Sequence, residues 1–340
     1  DAKTAGGQEI NIFGANSGPA GDADAPSMVY GVFDELGYTA TDCFVANSYN
    51  KITCMSVAGT GFGHHAQVEV GGLLSEVYAA EIAYARPSVH YFEPVWEKKI
   101  PIDEGGKTPG ADWIIIHGEN FGEVVHNGID RISYGPNGVE YKPCVGADHE
   151  DCSCDVIEDH TQIRCNTTEG SGKQHRWIVK IDGQNSTVST TSYDRPSVES
   201  ITGAGAVDAL ADGGQEVVIR GKNFGPSQEK LQTVTYGPSG QEFTAVDCER
   251  IDHYEIRCST SPGLGTDLKW LVKVDGQLSD LSEVTTNYEQ PHITSVLESV
   301  GETKGGSEHR ITGTNLGVNV PNSFIELHFD GEAIDLAEGI

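Results

Sequence analysis

Short apolar or β-branched runs recur along the chain, and four of them end in the same turn. Ile10-Asn11-Ile12-Phe13, Trp113-Ile114-Ile115-Ile116, Val217-Val218-Ile219 and Arg310-Ile311-Thr312 each lead into a Gly-x-Asn-x-Gly pentapeptide, at 14–18, 118–122, 221–225 and 313–317. The first glycines are 104, 103 and 92 residues apart. A fixed mark at that spacing predicts an array of similar domains. Gly and Asn accept the positive φ of a tight turn, and Phe121, Phe224 or Leu316 between them is placed to anchor a core. Further on, Lys51-Ile52-Thr53, Gln162-Ile163-Arg164 and Glu255-Ile256-Arg257 alternate polar, apolar, polar, as half-buried strands do. No helical periodicity of useful length is present.

The repeats align well beyond the pentapeptide. A turn follows it at Tyr30-Gly31, Tyr134-Gly135-Pro136-Asn137-Gly138 and Tyr236-Gly237-Pro238-Ser239-Gly240, and Phe329-Asp330-Gly331 stands in the same place in the last repeat. The register after each second cysteine is free of gaps. It aligns Ala66, Trp177 and Trp270, and then Gly72, Gly183 and Gly276. Asp182-Gly183-Gln184 and Asp275-Gly276-Gln277 are hairpin signals, and the first repeat lacks both the Trp and the Asp. Tyr84 to Pro87, Tyr193 to Pro196 and Tyr288 to Pro291 close the repeats, and a strand resumes at once. Proline junctions without a Gly/Ser tract predict a semi-rigid rod.

Composition narrows the class. With 42 glycines in 340 residues the chain suits a loop-rich β protein of about three domains. No apolar run approaches the roughly 20 residues that span a bilayer, so no membrane insertion of this segment is expected. No secretory signal opens the sequence, which reads as a mature form or a fragment. A net charge of −29, with 22 scattered Lys and Arg, argues against nucleic acid as a partner. The eight cysteines fall by repeat: Cys43 and Cys54; Cys144, Cys152, Cys154 and Cys165; Cys248 and Cys258. Pairs at spacings of 11, 11 and 10 read as disulfides between neighbouring strands, made in an oxidising compartment. Cys144 and Cys152 close an extra loop, and Cys152 and Cys154 are free to exchange roles. Zinc is disfavoured, because Cys-Ser-Cys is a poor ligand spacing.

The Pro-x-(Val/Ile)-x-x-(Ile/Val) opening, the Gly-x-Asn-(Phe/Leu)-Gly turn, the Ile-x-Cys strand and the closing Val-Asp-Gly-Gln resemble the IPT/TIG family of immunoglobulin-like domains. The resemblance covers essentially the whole chain and implies an all-β fold of tandem sandwiches arranged as a rod. Its domains are 1–86 (lacking its first strand), 87–195, 196–290 and a partial fourth at 291–340. Family members of this kind occur in extracellular adhesion proteins and receptor ectodomains, beside catalytic domains of starch-acting enzymes, and as dimerisation domains of transcription factors. The disulfides and acidity fit the first setting.

Candidate chemistry is sparse. Asn166-Thr167-Thr168 and Asn185-Ser186-Thr187 are N-glycosylation sequons expected at exposed strand ends. The acidic groups Asp22 and Asp24, Asp148 to Asp155, and Asp208 and Asp212 lack the spacing of an EF-hand, so calcium is weakly supported and no cofactor is expected. His64-His65 reads as an exposed loop rather than a metal site, and Trp177 and Trp270 as core plugs rather than sugar platforms. No catalytic or metal-binding motif is found. The expected function is a structural segment of an extracellular glycoprotein fibre. The unfinished first and last repeats read either as a window cut from a longer array or as ends that join copies of the chain head to tail by strand or half-domain complementation. The expected partner is another copy of itself, with disulfides and proline junctions resisting extension. The alternatives are the ectodomain of an adhesion or signalling receptor, which binds other cell-surface proteins, and accessory domains of a carbohydrate-active enzyme.

Overall fold

The structure is a computed structural model that describes residues 1–21, 25–32, 35–94, 107–110, 112–126, 128–143, 154–297, 309–317, 327–329 and 332–334. These divide into two compact units. The first is drawn from residues 1–106, 110–168 and 174–192, the second from 107–109, 169–173 and 193–340.

The third repeat, in the second unit, shows the common plan. One antiparallel sheet runs Val246–Arg250, Glu255–Ser259, Glu216–Lys222, Ser197–Thr202, and the other Phe243–Thr244, Leu231–Gly237, Lys269–Val274, Gln277–Leu278. Alternation along these strands turns Val217, Ile219, Ile256, Val234, Trp270 and Val272 into one core between the sheets. This is the order of an immunoglobulin-like sandwich. The second repeat follows it with Asp155–Glu158, Gln162–Asn166, Trp113–Glu119, Ser88–Pro94 in one sheet and Ile129–Gly135 beside His175–Ile181 in the other. In the first repeat Glu9–Phe13, Lys51–Met55 and Thr41–Asn47 form a sheet of three. The fourth contributes His292–Leu297 paired with Arg310–Thr314, and Leu327–Phe329 paired with Glu332–Ile334. The chain is thus an all-β array of immunoglobulin-like sandwiches.

The pentapeptide follows the strands Glu9–Phe13, Trp113–Glu119, Glu216–Lys222 and Arg310–Thr314 or overlaps their ends, and its two glycines have different roles. Gly122, Gly225 and Gly317 take positive φ, as does the Asn two positions earlier. Gly118, Gly221 and Gly313 do not; a β-carbon there would overlap the carbonyl oxygen of Ser88, Ser197 or His292 on the strand entering the repeat. Beneath them Phe121 and Phe224 are fully buried, whereas Leu316 is 38% exposed.

The tryptophans are core residues. Trp177 stacks on Tyr134 at 4.1 Å and Trp270 on Tyr236 at 4.3 Å, and each indole N–H donates to a threonine hydroxyl, Thr191 or Thr286. The closing tyrosines are buried too. Tyr84 meets the Tyr30 hydroxyl at 2.7 Å and donates to the Val57 carbonyl; Tyr288 meets Tyr236 at 2.5 Å and donates to the Ser261 carbonyl. Each pair ties the turn strand and the closing strand to the loop after the second cysteine. Disulfides Cys43–Cys54, Cys154–Cys165 and Cys248–Cys258 join adjacent strands of one sheet. Cys144 and Cys152 lie outside the described residues.

His64 corrects an expectation. It is buried within the strand His64–Val70, because alternation places residues 64 and 66 on the inward face. Its ring packs edge-on against Tyr38 and Tyr84, and Nε2 lies 2.9 Å from the Thr60 carbonyl.

Two outcomes are expected. Gly221→Ala forces the entering strand off its register and destabilises the third repeat by about 1–3 kcal/mol in urea unfolding, as overpacking does. Burial, reinforced by the partner tyrosine, pushes the Tyr84 and Tyr288 phenols well above their ordinary range. The folded state therefore keeps them protonated where the unfolded chain loses the proton. Their contribution is intact below about pH 10 and is lost as pH rises further, which urea midpoints at about pH 8 and about pH 11 will read.

Candidate functional site: a clasp between repeats

The residues that repeat most faithfully converge where one repeat meets the next. The pentapeptide asparagines Asn120, Asn223 and Asn315 hold left-handed φ of 65°, 62° and 54°, a conformation Asn tolerates better than most side chains. That backbone aims the amide back at the preceding repeat. Asn120 and Asn223 donate Nδ2–H to the linker carbonyls of Arg86 and Arg195 at 3.1 and 3.2 Å, and Asn315 donates to the Glu289 carboxylate at 2.6 Å. The same amides accept through Oδ1 from a loop of the preceding repeat. The donors are the Thr4 hydroxyl at 3.4 Å, the Thr108 N–H at 3.3 Å and the Ala211 N–H at 3.2 Å. Thr4, Thr108 and Ala211 in turn accept from Gly59, Gly170 and Gly263 on the loop after the second cysteine. One side chain per repeat thus ties a linker to a buried loop.

The Asp-Gly-Gln turn supplies a second prong. The Asp182 carboxylate accepts from the Thr60 hydroxyl, and Asp275 from the Ser171 hydroxyl at 2.9 Å. Two residues on, Gln184 and Gln277 donate to the carbonyls of the closing tyrosines, Tyr84 at 3.0 Å and Tyr193 at 2.8 Å. Lys230 lies 3.1 Å from Asp275 and balances its charge. Beside Asn223, the Thr108 hydroxyl is 2.9 Å from His253 Nδ1, and His253 Nε2 lies 3.5 Å from Glu169. Burial lowers the His253 pKa, and the Arg250 guanidinium lowers it further. A neutral ring fits these partners: Nδ1 accepts from Thr108, and Nε2–H points at Glu169. These hydrogen bonds tie the linker, the pentapeptide turn and the loop after the second cysteine to one another.

In the first repeat the same positions show no such contact among the described residues. Asn16 keeps φ 64° but is exposed, Ser17 is buried where Phe121 and Phe224 anchor, and Gly71-Gly72-Leu73 replaces Asp-Gly-Gln.

The sequons part company. Asn185 is exposed in the short strand Gln184–Asn185, next to the clasp glutamine. Asn166 is not at an exposed strand end. It is 4% exposed, at the end of the central strand Gln162–Asn166 and opposite Trp113, although it falls on the same face of that strand as exposed Arg164. Asp22, Asp24 and Asp148 to Asp151 lie outside the described residues, and among the described residues no three His, Cys, Asp or Glu side chains gather as a metal site. No described helix is long and apolar enough to cross a membrane.

No family model matches the chain, and no curated protein matches it in sequence. Solved structures do match. A surface glycan-binding protein from Prevotella bryantii is 16% identical, with a TM-score of 0.33 over 61% of this chain and 42% of its own. The full extracellular region of plexin A4 is 13% identical, with a TM-score of 0.25 over 99% and 27%. Invasin, a bacterial integrin-binding protein, is 16% identical, with a TM-score of 0.23 over 85% and 61%. The chain spans less than two thirds of the length of each. Likenesses this distant carry no argument of their own, and the sandwich assignment stands on the strand order.

Two measurements probe the clasp. Asn223→Gly keeps the backbone freedom but removes both hydrogen bonds. It leaves the buried Thr108 N–H unpaired and costs about 1–3 kcal/mol, read as faster hydrogen exchange at Thr108 than at core amides. Because the His253 pKa is lowered in the fold, its contribution is whole above about pH 6.5 and is lost as pH falls below that value. Thermal melts at about pH 7.5 and about pH 5 should differ in the parent and differ less in His253→Gln.

Proposed function

We propose that this chain is a non-catalytic structural segment of an extracellular glycoprotein fibre, built from sandwiches of the IPT/TIG type and extended end to end by further copies of itself. The observation that carries the reading is the clasp. The same Asn, in the same left-handed backbone, holds the preceding repeat at three successive junctions. A binding surface has no need to repeat its junctions with one geometry, whereas a load-bearing series does.

Other features agree. Disulfides within single sheets suit an oxidising, extracellular setting. A net charge of −29 keeps neighbouring fibres hydrated and apart, and leaves growth to the ends. Asn185 is the sequon placed to carry sugar.

Sedimentation and negative-stain microscopy of the purified chain over a wide concentration range test this. Linear oligomers that lengthen with concentration are expected; a chain that stays monomeric throughout would sink the reading. Peptide mass spectrometry should find N-linked glycan on Asn185 and not on Asn166.

A further inference from the structure

The entering strand pairs with the pentapeptide strand in one register in repeats two, three and four. Val89, Val198 and Ile293 lie opposite Gly118, Gly221 and Gly313; Phe92, Ile201 and Val296 lie opposite Ile116, Ile219 and Ile311. An irregularity of one residue separates the two contacts each time. The glycine is required there by the carbonyl oxygen lying over it.

In the first repeat the strand Glu9–Phe13 pairs with Lys51–Met55 along one edge, and among the described residues nothing pairs with the other. Gly14 nevertheless occupies the position of Gly118 and Gly221. No described atom lies within 4 Å of a β-carbon built there, and its φ is not positive. Neither packing against the described residues nor backbone conformation accounts for glycine at 14. At Gly118, Gly221 and Gly313 the equivalent space is taken by a carbonyl oxygen of the entering strand.

At the far end, His292–Leu297 is exposed along its whole length, with Ile293 at 51% and Val296 at 44%. The clasp residues change in concert at these same two places. Six residues after the second cysteine stand Thr60, Ser171 and Leu264; seventeen after it stand Gly71, Asp182 and Asp275; nineteen after it stand Leu73, Gln184 and Gln277. Within the chain, hydroxyls meet carboxylates: Thr60 with Asp182 and Ser171 with Asp275. The two positions left over are Leu264 and the Gly71–Leu73 turn, whose Leu73 is 79% exposed. At both of these positions a polar residue of the other repeats is replaced by an apolar one or by glycine.

We propose that the first repeat is a strand acceptor whose occupant is the His292–Leu297 strand of a second copy. This rests on the end-to-end reading above and names its joint. Ile293 of the donor sits over Gly14 and Val296 opposite Ile12. Asn16 takes the part Asn315 plays within the chain, reaching the donor's Ala211 N–H, and the donor's Leu264 covers Leu73. The donor strand exchanges its ladder with Arg310–Thr314 for an equal one with Glu9–Phe13, and gains burial of Ile293 and Val296 in a sandwich whose other sheet is Glu35–Thr39, Ser27–Val32, His64–Val70 and Leu73–Leu74. The joint is heterologous, so it propagates rather than closing on itself.

The register supplies the test. His117 lies opposite Tyr91, Arg220 opposite Ser200 and Thr312 opposite Ser295, so Phe13 should lie opposite Ser295 of the other chain. Full-length Phe13→Cys and full-length Ser295→Cys are mixed under mild oxidation. A disulfide-linked dimer containing one of each is expected, and Thr294→Cys, one residue out of register, should not link. In parallel, Gly14→Val, whose side chain meets open space in the free chain, should melt as the parent does while association weakens about tenfold or more. If the chains associate but the pair does not link and Gly14→Val changes nothing, the acceptor is wrong and end-to-end growth stands by another joint. A strand from elsewhere in a longer polypeptide filling this edge would instead lower the melting temperature of Gly14→Val without any disulfide link, and this too rules out the second copy. If the parent does not associate at any concentration, the fibre reading falls and the acceptor with it.

Discussion

A backbone carbonyl pressed against a glycine organises this molecule. Where the strand entering a repeat crosses Gly118 or Gly221, no β-carbon can intervene, so the two backbones lie closer than side chains would allow. That approach sets the register of the first two strands. It also leaves room for the ring of Phe121 or Phe224 below, which anchors the following turn in the core. With the turn anchored, its asparagine is held in a left-handed conformation and its amide points away from its own repeat. The clasp is therefore a consequence of packing inside each sandwich, delivered at the sandwich's edge.

The receiving side is prepared in the same way. The tyrosine pairs Tyr30–Tyr84 and Tyr236–Tyr288 fasten the loop after the second cysteine from within, through the carbonyls of Val57 and Ser261. That loop carries Thr60 in the first repeat and Ser171 in the second, the hydroxyls that the next repeat's aspartate takes up. His64 extends the link in the first repeat, because its ring packs on Tyr84 while Nε2 reaches the Thr60 carbonyl. Core and junction share residues, so loosening one loosens the other.

Much of this was legible in the sequence. The pentapeptide and the cysteine spacings marked the repeats, and the gap-free register after the second cysteine placed the tryptophans in the core. Those signals are local, set by alternation and turn chemistry within a few residues. What the sequence did not disclose joins positions about a hundred residues apart: Asn120 with Thr4, or Ser171 with Asp275. Such pairs leave no periodicity. Their one trace is that Asn and Asp-Gly-Gln recur more strictly than a turn demands. Asn166 and His64 are buried for different reasons. The alternation of His64–Val70 carries His64 inward, whereas Asn166 falls on the face of Arg164 and is buried against the alternation of its strand, which no local pattern discloses.

The disulfides bear on what happens when such a chain is pulled. Each described bond joins cysteines only 10 or 11 residues apart on neighbouring strands, so it withholds a small loop and leaves the rest of its repeat outside the covalent shortcut. At 3.3–3.6 Å per residue the slack withheld is roughly 35 Å per repeat, a minor part of the contour length of about a hundred residues. The bonds cannot act as stops against extension. Once the strand ladders and clasps give way, most of each repeat would pay out as free chain. Against a pull on its ends the chain would therefore rely chiefly on hydrogen bonds, which can re-form, rather than on covalent bonds.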